Sequence, residues 1–152
     1  MHFTLTSLVA LALAPVATLA ALSCDEASRF GRLTVTPTTL KPGDAFTVHV
    51  DLTCAAQLGY LPTYMDYYVE VLSNNNGHEA PILLARRTYK PSGSKQAPSD
   101  TFSTKLPEWY YFTGAQYSVV FVNSFAQPGP KNNSVIMTGG ISAAINVTGI
   151  SS

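Results

Sequence analysis

Ala45-Phe46-Thr47-Val48-His49-Val50-Asp51-Leu52 places Phe46, Val48, Val50 and Leu52 in alternation with Thr47, His49 and Asp51. Successive side chains of a strand point to opposite faces, so this period of two makes one face core and the other solvent. It is the pattern of a strand half buried in a sandwich. Upstream, residues 33–36 read as a strand that reaches this one through Leu40-Lys41-Pro42-Gly43-Asp44. There Pro42 fixes φ and Gly43 supplies the positive φ of a tight turn.

The same grammar continues downstream. Residues 64–72 are rich in β-branched and aromatic side chains and stop at Ser73-Asn74-Asn75-Asn76-Gly77, a strong turn signal. Residues 82–89 form the next strand, and 91–99, with two prolines, three serines and a glycine, form a surface loop. Residues 101–106 alternate again, 107–114 turn a corner, and 117–124 make a strongly apolar strand. Tyr117, at the start of that strand, resembles the tyrosine corner of immunoglobulin-like sandwiches. Residues 135–138 and 141–147 supply a final strand or pair, with Gly139-Gly140 between them as a bulge or turn. The expectation is an all-β, immunoglobulin-like or fibronectin-like sandwich of seven or eight strands.

Residues 1–23 carry no Asp, Glu, Lys or Arg, and 8–21 are apolar apart from Thr18. A run this short falls below the roughly 20 residues that span a bilayer, and the small residues at Thr18 and Ala20 suit removal as a secretory leader. Cleavage is expected after Ala20, with Ser23 as the alternative, leaving residues 21–152 as one domain. All nine basic and all nine acidic residues fall in that part. Zero net charge at low charge density argues against a nucleic-acid or anionic-lipid partner. The C-terminal residues have no tail suited to a lipid anchor, so the expected product is free in solution.

An exported chain with two cysteines is expected to pair Cys24 with Cys54. Asn132-Asn133-Ser134 and Asn146-Val147-Thr148 are acceptor sequons, which makes Asn132 and Asn146 N-glycosylation candidates in a eukaryotic host.

Catalytic signatures are sparse. There is no Gly-x-Ser-x-Gly elbow and no His-Glu-x-x-His spacing. Without the leader, His49 and His78 are the only imidazoles, and His49 with Asp51 on one strand face reads as ordinary surface polarity rather than a metal site. Copper-dependent oxidative sandwiches of fungi need a histidine at the mature N-terminus, whereas cleavage here exposes Ala21 or Cys24. Asp66, Glu70 and Glu108 do not read as a facing acid–base pair. Arg86-Arg87, inside a strand, reads as structural rather than as a processing site. No catalytic residue, metal or cofactor is expected, and the chain reads as a non-enzyme.

The aromatics admit two readings. Trp109, Tyr110 and Tyr111, followed by Phe112, together with Tyr60, Tyr64, Tyr67 and Tyr68, can form a binding platform. Alternatively, Trp109 plugs one end of the sandwich and the tyrosines line its rim, the reading that aromatic-rich sandwich corners favour.

The stretch Thr36-Pro37-Thr38-Thr39-Leu40-Lys41-Pro42-Gly43-Asp44-Ala45-Phe46, the strand Tyr117-Ser118-Val119-Val120-Phe121, the small-residue loop to Pro130 and the closing Asn146-Val147-Thr148 resemble, in order and spacing, the necrosis-inducing secreted protein family of fungal effectors. The resemblance covers about half of the chain beyond the leader, at its two ends. It implies a secreted, non-enzymatic effector that binds a host protein, with receptor-associated kinases as the implied class. Such an effector suppresses plant immune signalling or provokes cell death, outside the host cell or in its cytoplasm. The rival expectation is a carbohydrate-binding or cell-wall-associated module using Trp109 and neighbouring tyrosines.

Overall fold

The computed structural model describes residues 24–75, 77, 79–91 and 96–150. The leader expected over 1–20, its alternative end at Ser23, His78 and the centre of the 91–99 loop lie outside the described residues. Among the described residues, nine strands run in the order β1 Arg32–Thr36, β2 Thr39–Leu40, β3 Ala45–Asp51, β4 Tyr64–Val71, β5 Ile82–Thr88, β6 Ser99–Lys105, β7 Tyr117–Pro128, β8 Ser134–Ala144 and β9 Asn146–Val147. Seven long strands form two antiparallel sheets, β1-β3-β6 and β5-β4-β7-β8, and the two-residue strands β2 and β9 pair in parallel. This is an all-β sandwich of the immunoglobulin-like, fibronectin-like kind.

The alternation read in β3 is the burial observed: Phe46, Val48 and Val50 are 2 % exposed or less, as is Leu52 just beyond the strand. β4 answers with Met65, Tyr67 and Val69, and β7 with Val119 and Phe121, all in one core. Asn123, also inward on β7 and wholly buried, donates from Nδ2 to the Tyr60 carbonyl at 2.7 Å and so holds the β3–β4 connection against the sheet.

The structure departs from the sequence reading at three places. The β3–β4 connection contains a short helix, α1 Thr53–Gln57, which buries Cys54 and Ala55. The apolar strand expected over 117–124 runs on to Pro128. Gly139-Gly140 makes neither turn nor bulge, because β8 passes through both in unbroken register, Gly139 opposite Asn123 and Gly140 opposite Val122. The reason lies in Phe30, whose ring occupies the space a Cβ on Gly139 would need. Phe30 packs against Tyr60 and Phe125, each at 5.8 Å between ring centroids. The glycine thus admits an aromatic ring onto the strand.

Among the described residues, a disulfide fastens the N-terminal segment and a polar cluster joins the two sheets. The disulfide joins Cys24 to Cys54 with Cα atoms 5.5 Å apart, tying the segment before β1 to α1. Across the sheets, Tyr67 on β4 donates its hydroxyl to Asp100 Oδ2 on β6 at 2.9 Å. Arg87 on β5 grips the same carboxylate through Nε at 2.7 Å and Nη2 at 3.0 Å and lies over the Phe102 ring. Burial, with the neighbouring Asp100 charge second, pushes the Tyr67 phenol far above its ordinary pKa, so it stays a donor. Arg86 forms a matching bidentate pair with Asp66, and the Arg86 hydrogen bond holds that carboxyl below its usual range. Both halves of the dibasic pair are thus engaged in ion pairs within β5.

Two expected outcomes follow. Reducing the disulfide, or Cys54→Ala, lowers unfolding free energy by about 3 to 4 kcal/mol in urea titrations, the entropy of a loop of some 30 residues. Asp100→Ala costs about 2 to 3 kcal/mol because it strands a buried hydroxyl and a guanidinium together, whereas Tyr67→Phe costs about 1 to 2.

Candidate functional site

The β6–β7 connection, residues 106–116, is held from beneath by two tyrosines. Tyr111 is 5 % exposed and donates its hydroxyl to the Pro107 carbonyl at 2.9 Å. Burial pushes its pKa up to about 12. Its ring meets that of Tyr117 edge to face, centroids 5.1 Å apart. The Tyr117 hydroxyl accepts the Phe112 N–H at 2.9 Å and donates to the Glu79 carboxylate. This is the back-bond to the loop that a tyrosine corner makes.

With Tyr111 and Tyr117 turned inward, the remaining aromatics of the corner face solvent: Trp109 at 61 %, Tyr110 at 83 % and Phe112 at 56 % exposed. Trp109 and Tyr110 meet edge to face at 5.9 Å. Together with Glu79, Ala80 and Pro81 from the β4–β5 connection and Ile82 at the start of β5 they line an open, mainly apolar groove of about 820 Å³. Beyond Phe112 and Glu79, which border both, a second recess of about 430 Å³ presents Ser73, Asn74, Asn75 and Gln116. Its wall is held in shape by Asn75, whose side-chain amide exchanges two hydrogen bonds with the Glu79 backbone, at 2.7 and 2.9 Å.

Several expectations need correcting against this geometry. Trp109 does not plug the sandwich; Tyr111 does, because its hydroxyl reaches a carbonyl inside the corner. Tyr111 is accordingly removed from the candidate binding surface, and Phe112 stands in its place beside Trp109 and Tyr110. The other tyrosines do not join them. Tyr67 is core, Tyr60 packs on Phe125 at 4.8 Å, and Tyr64 lies at the far end of β4, opposite Ser124. Residues 73–75 and 107–112 meet at this rim. The described ends of the 91–99 segment, Pro91 after β5 and residues 96–99 leading into β6, lie at the opposite end of the sandwich. Residues 79–82 were legible only as the approach to a strand. No signal in the sequence ties them to Trp109, since the two segments meet through tertiary packing alone.

The remaining candidates are dispersed. His49 Nδ1 bonds the Thr101 hydroxyl at 2.7 Å, and Asp51 accepts the Thr53 N–H and hydroxyl, the latter contact being the main cause of its lowered pKa. Among the described residues no group of three or more His, Cys, Asp or Glu side chains converges as metal ligands, and no helix is long and apolar enough to cross a membrane. Asn132, with φ of 60°, sits exposed at the β7–β8 turn, and Asn146 is exposed in β9. Comparison with known protein families and with curated protein sequences gives no match.

The anchors and the exposed aromatics separate cleanly in a stability measurement. Tyr117→Phe, which leaves the Phe112 N–H and Glu79 without their partner, is expected to cost about 1 to 2 kcal/mol in urea unfolding. Trp109→Ala changes stability by less than about 0.5 kcal/mol.

Proposed function

We propose that the protein is a secreted, non-enzymatic effector that binds a host protein through the Trp109, Tyr110 and Phe112 rim. Binding in turn dampens plant immune signalling or provokes cell death. The observation that carries this reading is the exposure of three large aromatics on a loop whose backbone is fixed by Tyr111 and Tyr117. Trp and Tyr dominate binding hot spots because they bury much area for little lost rotamer freedom, and a pre-organised loop avoids the ordering cost of association. A contiguous apolar groove rimmed by polar groups marks an interaction surface. The resemblance to the fungal effector family supplies the host setting and receptor-associated kinases as the partner class.

A second reading is favoured by one specific feature. The recess that presents the Asn74 and Gln116 side-chain amides adjoins the aromatics, and sugar recognition needs both a stacking face and side-chain amides and carboxylates for hydroxyl groups. On that reading the protein is a cell-wall module.

Expression in leaf tissue, with the leader and without it, distinguishes them. The wild type suppresses the oxidative burst or causes death, and Trp109→Ala/Tyr110→Ala abolishes the effect at equal protein level. Binding to the host partner falls at least about tenfold, as loss of a hot-spot aromatic requires. Absence of any leaf response, with retention on chitin or glucan that Trp109→Ala destroys, replaces the effector reading with the wall module.

A further inference from the structure

We infer that the rim is an arginine site, in which Glu79 and the faces of Trp109, Tyr110 and Phe112 receive a guanidinium group presented by the protein partner. This rests on the partner-binding reading above and names the chemistry that the partner brings. Among the described residues, Glu79 is the only charged side chain lining either the apolar groove or the adjoining recess. Its position is set by its neighbours. The Tyr117 hydroxyl bonds both the Phe112 N–H and Glu79 Oε1, which keeps the carboxylate beside the aromatic loop. The Asn75 side chain meanwhile holds both backbone groups of Glu79. Among the described residues Oε2 takes no hydrogen bond, and the ion pairs engage Asp25, Glu26, Asp66 and Asp100 but not Glu79.

A carboxylate in that position selects its occupant. A neutral surface covering the groove strips water from Glu79 and leaves the charge unmatched, which opposes association. A cation meets the charge, and the exposed ring faces add an attraction of their own. Arginine fits better than lysine, because one planar group stacks on a ring and gives two parallel hydrogen bonds to a carboxylate. Its apolar stem has Pro81 and Ile82 to lie along. The fold itself uses this combination twice. Arg87 lies over the Phe102 ring, 4.9 Å from its centroid, while gripping Asp100. Arg29 lies over Phe30 at 4.7 Å while bonding Glu26 at 2.9 Å. At the rim the chain supplies the rings and the carboxylate, and the partner supplies the guanidinium.

The chain has a single tryptophan, so the indole N–H resonance of Trp109 reports on this site directly. Acetyl-Leu-Arg-Leu-amide is expected to shift that resonance saturably, with a Kd of about 1 mM. The same peptide with citrulline, equal in shape and uncharged, binds at least about fivefold more weakly. Glu79→Gln keeps an acceptor for the Tyr117 hydroxyl and binds the two peptides alike. Glu108→Gln removes an equal charge from a side chain that lies against Gly43 and lines neither recess, and it retains the arginine preference. Absence of a saturable shift at about 10 mM arginine peptide overturns the inference. So does a citrulline peptide that binds as tightly as arginine, or a folded Glu79→Gln that keeps the preference. A shift produced by chitin or glucan oligosaccharides and not by the arginine peptide also overturns it, in favour of the wall module. The leaf assay separates the two readings. A leaf-active wild type that ignores the arginine peptide removes this inference alone, whereas arginine-selective binding by a leaf-inactive protein upholds it and removes the effector reading.

Discussion

Tyr67 stands where the two sheets meet, its ring in the core against Phe102 and Phe121 and its hydroxyl on Asp100 of the opposite sheet. Much else depends on that one residue being able to serve both media. The sandwich needs large apolar area between its sheets, yet its open side between β5 and β6 must also be closed. Arg87 and Asp100 close it with a bidentate pair whose carboxylate is satisfied from two directions. A buried charge is tolerated only when partnered in this way. Removing any one member leaves the others with an unmet hydrogen-bonding demand, so the network fixes the sheet-to-sheet register and adds little to the depth of the core.

The same division of labour recurs at the corner. Tyr111 and Tyr117 spend their rings on packing and their hydroxyls on the loop backbone and Glu79. That leaves Trp109, Tyr110 and Phe112 exposed on a backbone with little freedom. Aromatic side chains in solvent cost stability nothing when the backbone beneath them is already held. A rigid scaffold with an apolar, aromatic-rich rim is a economical way to recognise a partner, because the ordering cost is met in folding.

How much of this was legible beforehand differs between residues for physical reasons. The strands of the core were legible because burial on one face imposes period two on the sequence, as at Phe46, Val48 and Val50. The tyrosine corner was legible from Tyr117 at the start of an apolar strand. The Gly139-Gly140 pair misled, since glycine marks both turns and close approaches, and the ring that approaches belongs to Phe30, more than a hundred residues away in sequence. Tyr111 and Trp109 could not be told apart either. Neighbours in an irregular loop have no fixed period, so which ring enters the core depends on where the Pro107 carbonyl lies.

By itself the sequence determined the fold class, the pairing of Cys24 with Cys54 and the turns marked by Pro42-Gly43 and by residues 73–77, because each follows from local periodicity, backbone preference or simple count. The tertiary structure alone decided which aromatics face solvent and that residues 79–82 join 109–112 around one groove. Those facts rest on contacts between segments far apart in the chain, which no local pattern encodes.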